Sequence, residues 1–254
     1  MTEKTENNRE LTLIDHLLEL RTRLLRAVMA IGVVVIALAP FARQLYTTLA
    51  EPLVRYLPEG SSMIAIDVAS PFFAPFKLVL ILGILIAMPA VIYQAWAFVA
   101  PGLYRHEQRL ARPLLVASVL LFYAGCAFAY FVVFPVVFNF FTSMAPEGVE
   151  VMTDISRYLD FILTLFIAFG LAFQVPVATI VLVVLGITTT ETLAKARGYV
   201  IVGAFLGAML ITPPDMISQT LLAIPVLLLY ELGIIMARIM VRRTDEAKSV
   251  SDKE

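Results

Sequence analysis

Six stretches of the chain are almost purely apolar, and nearly every charged residue falls between them. A helix needs roughly 20 apolar residues to cross the hydrocarbon core of a bilayer. Windows near that length lie at 24–42, 72–100, 113–141, 158–186, 198–211 and 217–237, the last two shorter than usual for a span. The pattern predicts an all-α, polytopic membrane protein with six transmembrane helices. Between the fifth and sixth windows, Thr212-Pro213-Pro214-Asp215 sets two prolines side by side. Two missing backbone donors oppose a continuous helix, so these spans are expected to form a hairpin. Pro89, Pro135, Pro176 and Pro225 lie within or at the ends of windows. Each removes an intrahelical hydrogen bond, which predicts kinked helices.

Ahead of the first window the pattern changes. Apolar pairs at Leu13/Ile14, Leu17/Leu18 and Leu24/Leu25 form one stripe, while Asp15, Glu19, Arg23 and Arg26 fall on another face in steps of four or three. This is an amphipathic surface helix running into the first span. Glu19 and Arg23 are spaced for an i,i+4 ion pair. The chain accordingly divides into an N-terminal amphipathic segment 1–23, a transmembrane domain 24–237 and a tail 238–254, whose charges after Arg243 read as disordered.

Composition supports lipid as the solvent: 60% of the 254 residues are hydrophobic and 15% are charged, against roughly a quarter charged in soluble domains. The net charge of −1 gives no overall attraction to nucleic acid. A single cysteine, Cys126, excludes an intrachain disulfide. Some ten polar residues open the chain, so no cleavable signal peptide is expected. If the N-terminus is inside, fifteen of the nineteen basic residues fall on cytoplasmic segments and three, Arg43, Arg55 and Arg157, on the opposite side, with Lys77 at the start of the second span. That bias predicts both termini in the cytoplasm. The outer segments 43–71 and 142–157 contain Pro52, Pro58, Pro71, Pro146 and Gly148 and read as ordered turns capping the outer face.

Few residues are left to carry chemistry. His16 and His106 lie on separate inside segments, and no HExxH, CxxC, G-x-S-x-G or P-loop pattern occurs, so neither an enzyme nor a metal or other cofactor is expected. Glu107 stands among bases in the first inside loop. Glu231 and Gln174 are polar residues inside apolar runs, where a charge costs several kcal/mol unless paired or wetted. Gln174 precedes Val175-Pro176 and is placed to bond a carbonyl freed by the proline. Asp215 is placed to cap the start of the last span.

Several longer segments go further. His16-Leu17-Leu18-Glu19-Leu20-Arg21, Asp67-Val68-Ala69-Ser70-Pro71-Phe72-Phe73, the run from Tyr93 to Tyr104, Phe128-Ala129-Tyr130-Phe131, Thr212-Pro213-Pro214-Asp215 and Ser218 to Pro225 resemble, in order, the signature segments of the TatC family. TatC is the signal-peptide receptor of the twin-arginine protein translocase in the bacterial inner membrane. The resemblance implies binding of twin-arginine signal peptides of folded precursors at the cytoplasmic face and export with TatA and TatB, driven by proton-motive force, in a multi-copy assembly. By motif match, Glu19 and Glu107 are implied to recognise the arginine pair, with Phe98 and Arg21 in the same surface. Asp67 and Asp215 are implied to serve complex assembly or later transport steps, and Met209, Thr212, Gln219 and Tyr130 to lie where the single-span partners dock. Gln174 stands where some family members carry a glutamate and cannot ionise. A solute transporter would share the proline-broken helices but usually shows repeated halves, and no internal repeat is seen.

Overall fold

The computed structural model describes residues 13–54, 64–99, 108–143, 154–211 and 216–251. Helix dominates them, and the β pairing among the described residues is an isolated bridge between Ile64 and Asp154. Helix α1 runs from Leu13 to Leu38 without interruption. The amphipathic segment and the first span are thus one rod, and residue 23 marks a change of pattern with no break in the backbone. A 3-10 turn at Ala39–Phe41 holds Pro40 in its first positions, where a missing N–H costs little. The chain then continues as α2, Ala42–Val54. The segment expected to begin in turns therefore begins as helix, because nothing between Ala42 and Glu51 interrupts it: Pro52 comes only in the last turn.

Helix α3 spans Ser70–Val99 and carries Pro75 and Pro89 inside it. Helix α4, Gln108–Phe128, passes through a wide π turn at Ala129–Val133 into α5, Phe134–Ser143. Pro135 cannot donate to the carbonyl of Phe131 and its ring crowds that carbonyl, and the wide turn just ahead absorbs the mismatch. Asp154 caps α6, Ile155–Ala172, by accepting from the Ser156 N–H. The helix breaks at Phe173–Gln174, and α7, Val175–Val184, restarts with Pro176 in its first turn. Gly186, at φ 69°, ends α7. Its N–H bonds to Val183 and that of Ile187 to Leu182, the paired closure that a left-handed residue permits.

A short α8, Thr190–Lys195, leads into α9, Arg197–Ile211, and then α10, Met216–Ser251. The last helix corrects the expectation of a disordered tail. From Arg238 to Ser251 there is neither proline nor glycine, and Arg, Met, Glu, Ala and Lys propagate a helix readily.

Among the described residues, five helical segments are long and apolar enough to cross a membrane: His16–Thr48, Ser70–Val99, Ala111–Phe140, Ser156–Val184 and Gln219–Met240. The apolar helix Arg197–Ile211 is shorter. Its 15 residues reach about 22 Å at roughly 1.5 Å each, less than the roughly 30 Å hydrocarbon core. The side chains that face outward are those a bilayer accepts: Ile36 is 75% exposed, Phe131 72% and Leu210 84%. In water such a surface would aggregate.

Packing runs through α3 and α6. Helix α3 lies against α1, α2, α4 and α6; α4 lies against α6; and α10 lies against α7 and α9. One apolar cluster joins Phe134, Val137, Tyr158 and Leu165 to Ala208 and Leu222, and a second joins Leu85, Trp96 and Phe122 to Ile180 and Ala237. A third, around Leu78 and Leu163, binds α3 to α6. Close approach depends on missing side chains: a Cβ on Gly125 of α4 would collide with the Phe169 carbonyl of α6, and one on Gly233 of α10 would collide with Thr179 and Pro176 of α7. One end of the bundle carries Arg21, Arg23, Arg26, Arg112, Lys195, Arg197 and Arg238 near the ends of the apolar runs. It is called the basic end below.

Candidate functional site

At the basic end, α1 and α3 meet where His16 stacks on Phe98, ring centroids 4.3 Å apart and planes 26° from parallel. Glu19, three residues along α1, shares the face of His16. Its carboxylate accepts from Arg23 through a single oxygen: Nε and Nη2 both reach Oε1, at 2.9 and 2.6 Å. The i,i+4 pair expected from spacing therefore forms, and among the described residues nothing donates to Oε2, on a side chain that is 29% exposed. A half-shielded carboxylate with one free oxygen, a turn away from an aromatic stack, suits a guanidinium, which donates in parallel from one edge and packs its face on rings. Arg21 is exposed and lies two residues on, where a helix turns its side chain to a different face. Glu107 lies outside the described residues, immediately before α4 begins at Gln108.

A second polar site lies inside the bundle. Ser118 of α4, 1% exposed, accepts from the Trp96 indole N–H at 2.9 Å and donates to the Leu114 carbonyl at 2.8 Å. Gln174, at the break between α6 and α7, donates through Nε2 to the Ser118 carbonyl at 2.9 Å. Its acceptor is thus on a neighbouring helix; the carbonyl freed by Pro176 is that of Ala172. These residues line a cavity of about 300 Å³ between α3, α4 and α7. Neither Ser118 nor Trp96 stands among the candidates the sequence offers, though the chain's one tryptophan within an apolar run was a visible signal. Substituting Ser118 by alanine should leave the indole N–H unpaired at about 1–3 kcal/mol. Thermal unfolding followed by Trp96 emission checks this: a lower midpoint and a shifted spectrum are expected, and unchanged values would contradict it.

Glu231 is held by Arg197 in a two-pronged ion pair, Nε to Oε1 and Nη2 to Oε2, the latter at 2.9 Å. Tyr230 donates to the Leu193 carbonyl at 2.7 Å, so α10 is tied to α8 and to the start of α9 at the basic end. The pair is half exposed, and such pairs contribute little to stability. A charge pair that the sequence candidates omit joins α3 to α6 from within their apolar runs: Lys77 Nζ lies 2.5 Å from Asp160. A lone charge there would be costly, and each side chain removes that cost from the other.

At the end opposite the basic end, Asp67 turns its carboxylate to the Ala69 N–H at 3.3 Å and its carbonyl to the Ser70 N–H at 3.2 Å, shaping the turn into α3. Gln219 of α10 donates to the Phe205 carbonyl of α9 at 2.8 Å, and Met209, 45% exposed, lies one turn further along α9. These two are brought to one hairpin. Tyr130 sits on the π turn and packs against Phe131 and Phe166. Thr212 and Asp215 lie outside the described residues. Beside the hairpin, a groove of about 360 Å³ runs between α6, α9 and α10, with Gly203 and Gly207 of α9 facing open space. Among the described residues no group of three or more His, Cys, Asp or Glu side chains is arranged to hold a metal ion.

A bundle of apolar helices with a partly exposed carboxylate beside an aromatic stack at its basic end and a polar contact inside defines a polytopic α-helical membrane protein. The family model described as Sec-independent protein translocase protein (TatC) matches residues 15–225. The chain is 54% identical over 249 residues to the Sec-independent protein translocase protein TatC of Azotobacter chroococcum mcd 1, covering 98% of each. It is 55% identical over 229 residues to that of Escherichia coli (strain K12), covering 90% of this chain and 89% of the relative. A crystal structure described as the twin arginine translocase receptor TatC superposes with a TM-score of 0.80 at 38% identity, over 88% of this chain and 98% of the other. The chain belongs to the TatC family, and so to the membrane components of a Sec-independent protein translocase.

Proposed function

We propose that this protein binds twin-arginine signal peptides at the basic end, which faces the cytoplasm, and with TatA and TatB supports export of the folded precursors by proton-motive force. The carrying observation is Glu19: a carboxylate with one oxygen free, on the helix face whose His16 stacks on Phe98. Glu107, which lies between α3 and α4 in the chain, supplies the second acceptor for the arginine pair. Six crossings put both termini on the cytoplasmic side. Met209, Thr212, Gln219 and Tyr130 receive the single-span partners, and the groove along Gly203 and Gly207 admits a helix closely packed on α9. Asp67 and Asp215 serve assembly or later steps, and several copies act together. Because Gln174 is occupied with the Ser118 carbonyl and cannot titrate, its role is hydrogen bonding, with no proton carried at that position.

The test is export. A bacterial strain lacking its own TatC and supplied with this chain should export a folded reporter carrying a twin-arginine signal, and fail with a twin-lysine signal. Equal export of both, or of neither while this chain is present in the membrane together with its own TatA and TatB, would overturn the reading. Glu231→Gln should leave signal-peptide binding unchanged within about twofold, because its pair with Arg197 lies on the α9–α10 side and contributes little. A loss as large as that from Glu107→Ala would contradict this.

A further inference from the structure

Given the signal-peptide reading above, on which this rests, we infer that Gln94 is a further recognition residue of the corner, accepting from the guanidinium of a signal-peptide arginine beside Glu19.

Two contacts fix how α1 and α3 lie together. His16 stacks on Phe98, and a Cβ on Gly83 would collide with Val35. The two helices are therefore antiparallel, and Gly83, Ala87, Gln94 and Phe98, in steps of four and seven, form the face of α3 that meets α1. One turn inward from the His16–Phe98 stack, that face presents Gln94, while α1 presents Glu19 and Leu20. The amide thus lies at the level of the Glu19–Arg23 pair, whose side chains are 29% and 21% exposed.

Gln94 Oε1 is buried and accepts from no described residue. A carbonyl oxygen shielded from water without a donor is destabilising, and folded proteins rarely keep one. Arg23, its neighbour across the seam, places Nε and Nη2 on Glu19. No described partner fixes the amide, so it can turn about its last bond, and the side chain as a whole is half-buried instead of sealed. A guanidinium carries five donors in a planar fork. Two of them face Glu19, and another reaches the Gln94 oxygen from the same group. Acceptors on two helices suit donors that point apart in a fixed plane, and the compact ammonium of lysine gains less from the second acceptor. Gln94 therefore adds to the preference for arginine as well as to affinity.

The experiment titrates the purified full chain, in a non-ionic detergent, with a labelled twin-arginine signal peptide and its twin-lysine counterpart. Thermal unfolding of the same variants is followed by Trp96 emission. Gln94→Leu, close to the amide in shape, should weaken twin-arginine binding about tenfold, the loss of one hydrogen bond to a charged group. Gln94→Met, unbranched and of similar length, should do the same. Both should leave the peptide-free protein at least as stable, because they remove a buried acceptor that lacks a donor. Twin-lysine binding should change by less than about twofold. Undiminished twin-arginine binding by both variants, with Glu19→Ala impaired, would overturn the role of Gln94 and leave the corner standing. An unfolding midpoint lowered in step with binding would show a structural partner for the amide and would overturn the role as well. No loss from Glu19→Ala either would overturn the signal-peptide reading of the corner itself.

Discussion

Alanine in place of Glu19 is expected to weaken binding of a twin-arginine signal peptide by about ten- to a hundredfold, the worth of a hydrogen bond to a charged group at roughly 1.5–3 kcal/mol. The magnitude follows from the geometry at α1. Arg23 places its Nε and Nη2 donors on Oε1 and leaves Oε2 to a ligand. Glutamine at position 19 keeps an oxygen of the same reach without the charge, and its loss should be smaller. Arg23 has the opposite sign: it competes for the same carboxylate and repels an incoming cation, so Arg23→Gln should tighten binding. A twin-lysine peptide, whose ammonium lacks the planar fork of a guanidinium, should be affected far less by any of the three. Peptide titrations of the purified variants check all of this. Binding by Glu19→Ala equal to that of the unsubstituted protein would remove the corner from the recognition site.

The second large effect concerns the fold that holds this corner. Valine at Gly125 should prevent α4 and α6 from meeting, because the added Cβ would collide with the Phe169 carbonyl oxygen and come within 2.9 Å of its carbon. A backbone group cannot rotate away as a side chain can, so the two helices must separate. Overpacking of this kind costs about 1–3 kcal/mol when the surroundings can adjust, and α6 adjusts poorly because its residues contribute to two of the apolar clusters and the third packs against it. Thermal unfolding in detergent, followed by Trp96 emission, should show a lowered midpoint or no folded protein. Gly32 on α1 is the control: a Cβ there meets nothing within 4 Å. Gly32→Ala should therefore stabilise the helix by up to about 1 kcal/mol. A Gly125→Val protein as stable as the unsubstituted one would mean that the α4–α6 contact is looser than described.

Most of the fold was legible because lipid imposes a coarse rule: apolar runs of sufficient length become helices, and their positions are written openly in the chain. The short α9 and the break ahead of Pro176 were legible for the same reason, one from length and the other from a missing donor. Continuity was harder to read. Nothing in the polar pattern of residues 238–251 says whether a helix stops at the membrane surface, since the change there is one of solvent with no change of backbone propensity, whereas the run of the N-terminal amphipathic helix into the first span was readable from its unbroken apolar stripe. Pairings between distant helices were beyond the sequence. Lys77 and Asp160 each look like an isolated charge in an apolar run until α3 and α6 are set side by side, and Ser118 looks like filler until Trp96 and Gln174 are seen to converge on it. The i,i+4 contact of Glu19 with Arg23 was readable because it is local. The approach of Phe98 to His16 belongs to the fold, and the motif match alone had suggested that Phe98 and Glu19 share a surface.

The central claim is that this chain by itself recognises paired arginines. It is tested most directly by titrating the purified protein, without partners, with a labelled twin-arginine signal peptide and its twin-lysine counterpart. The account predicts saturable binding of the first and at least about tenfold weaker binding of the second, the difference one two-pronged charged contact makes. Equal binding of the two peptides by folded, monodisperse protein would contradict it.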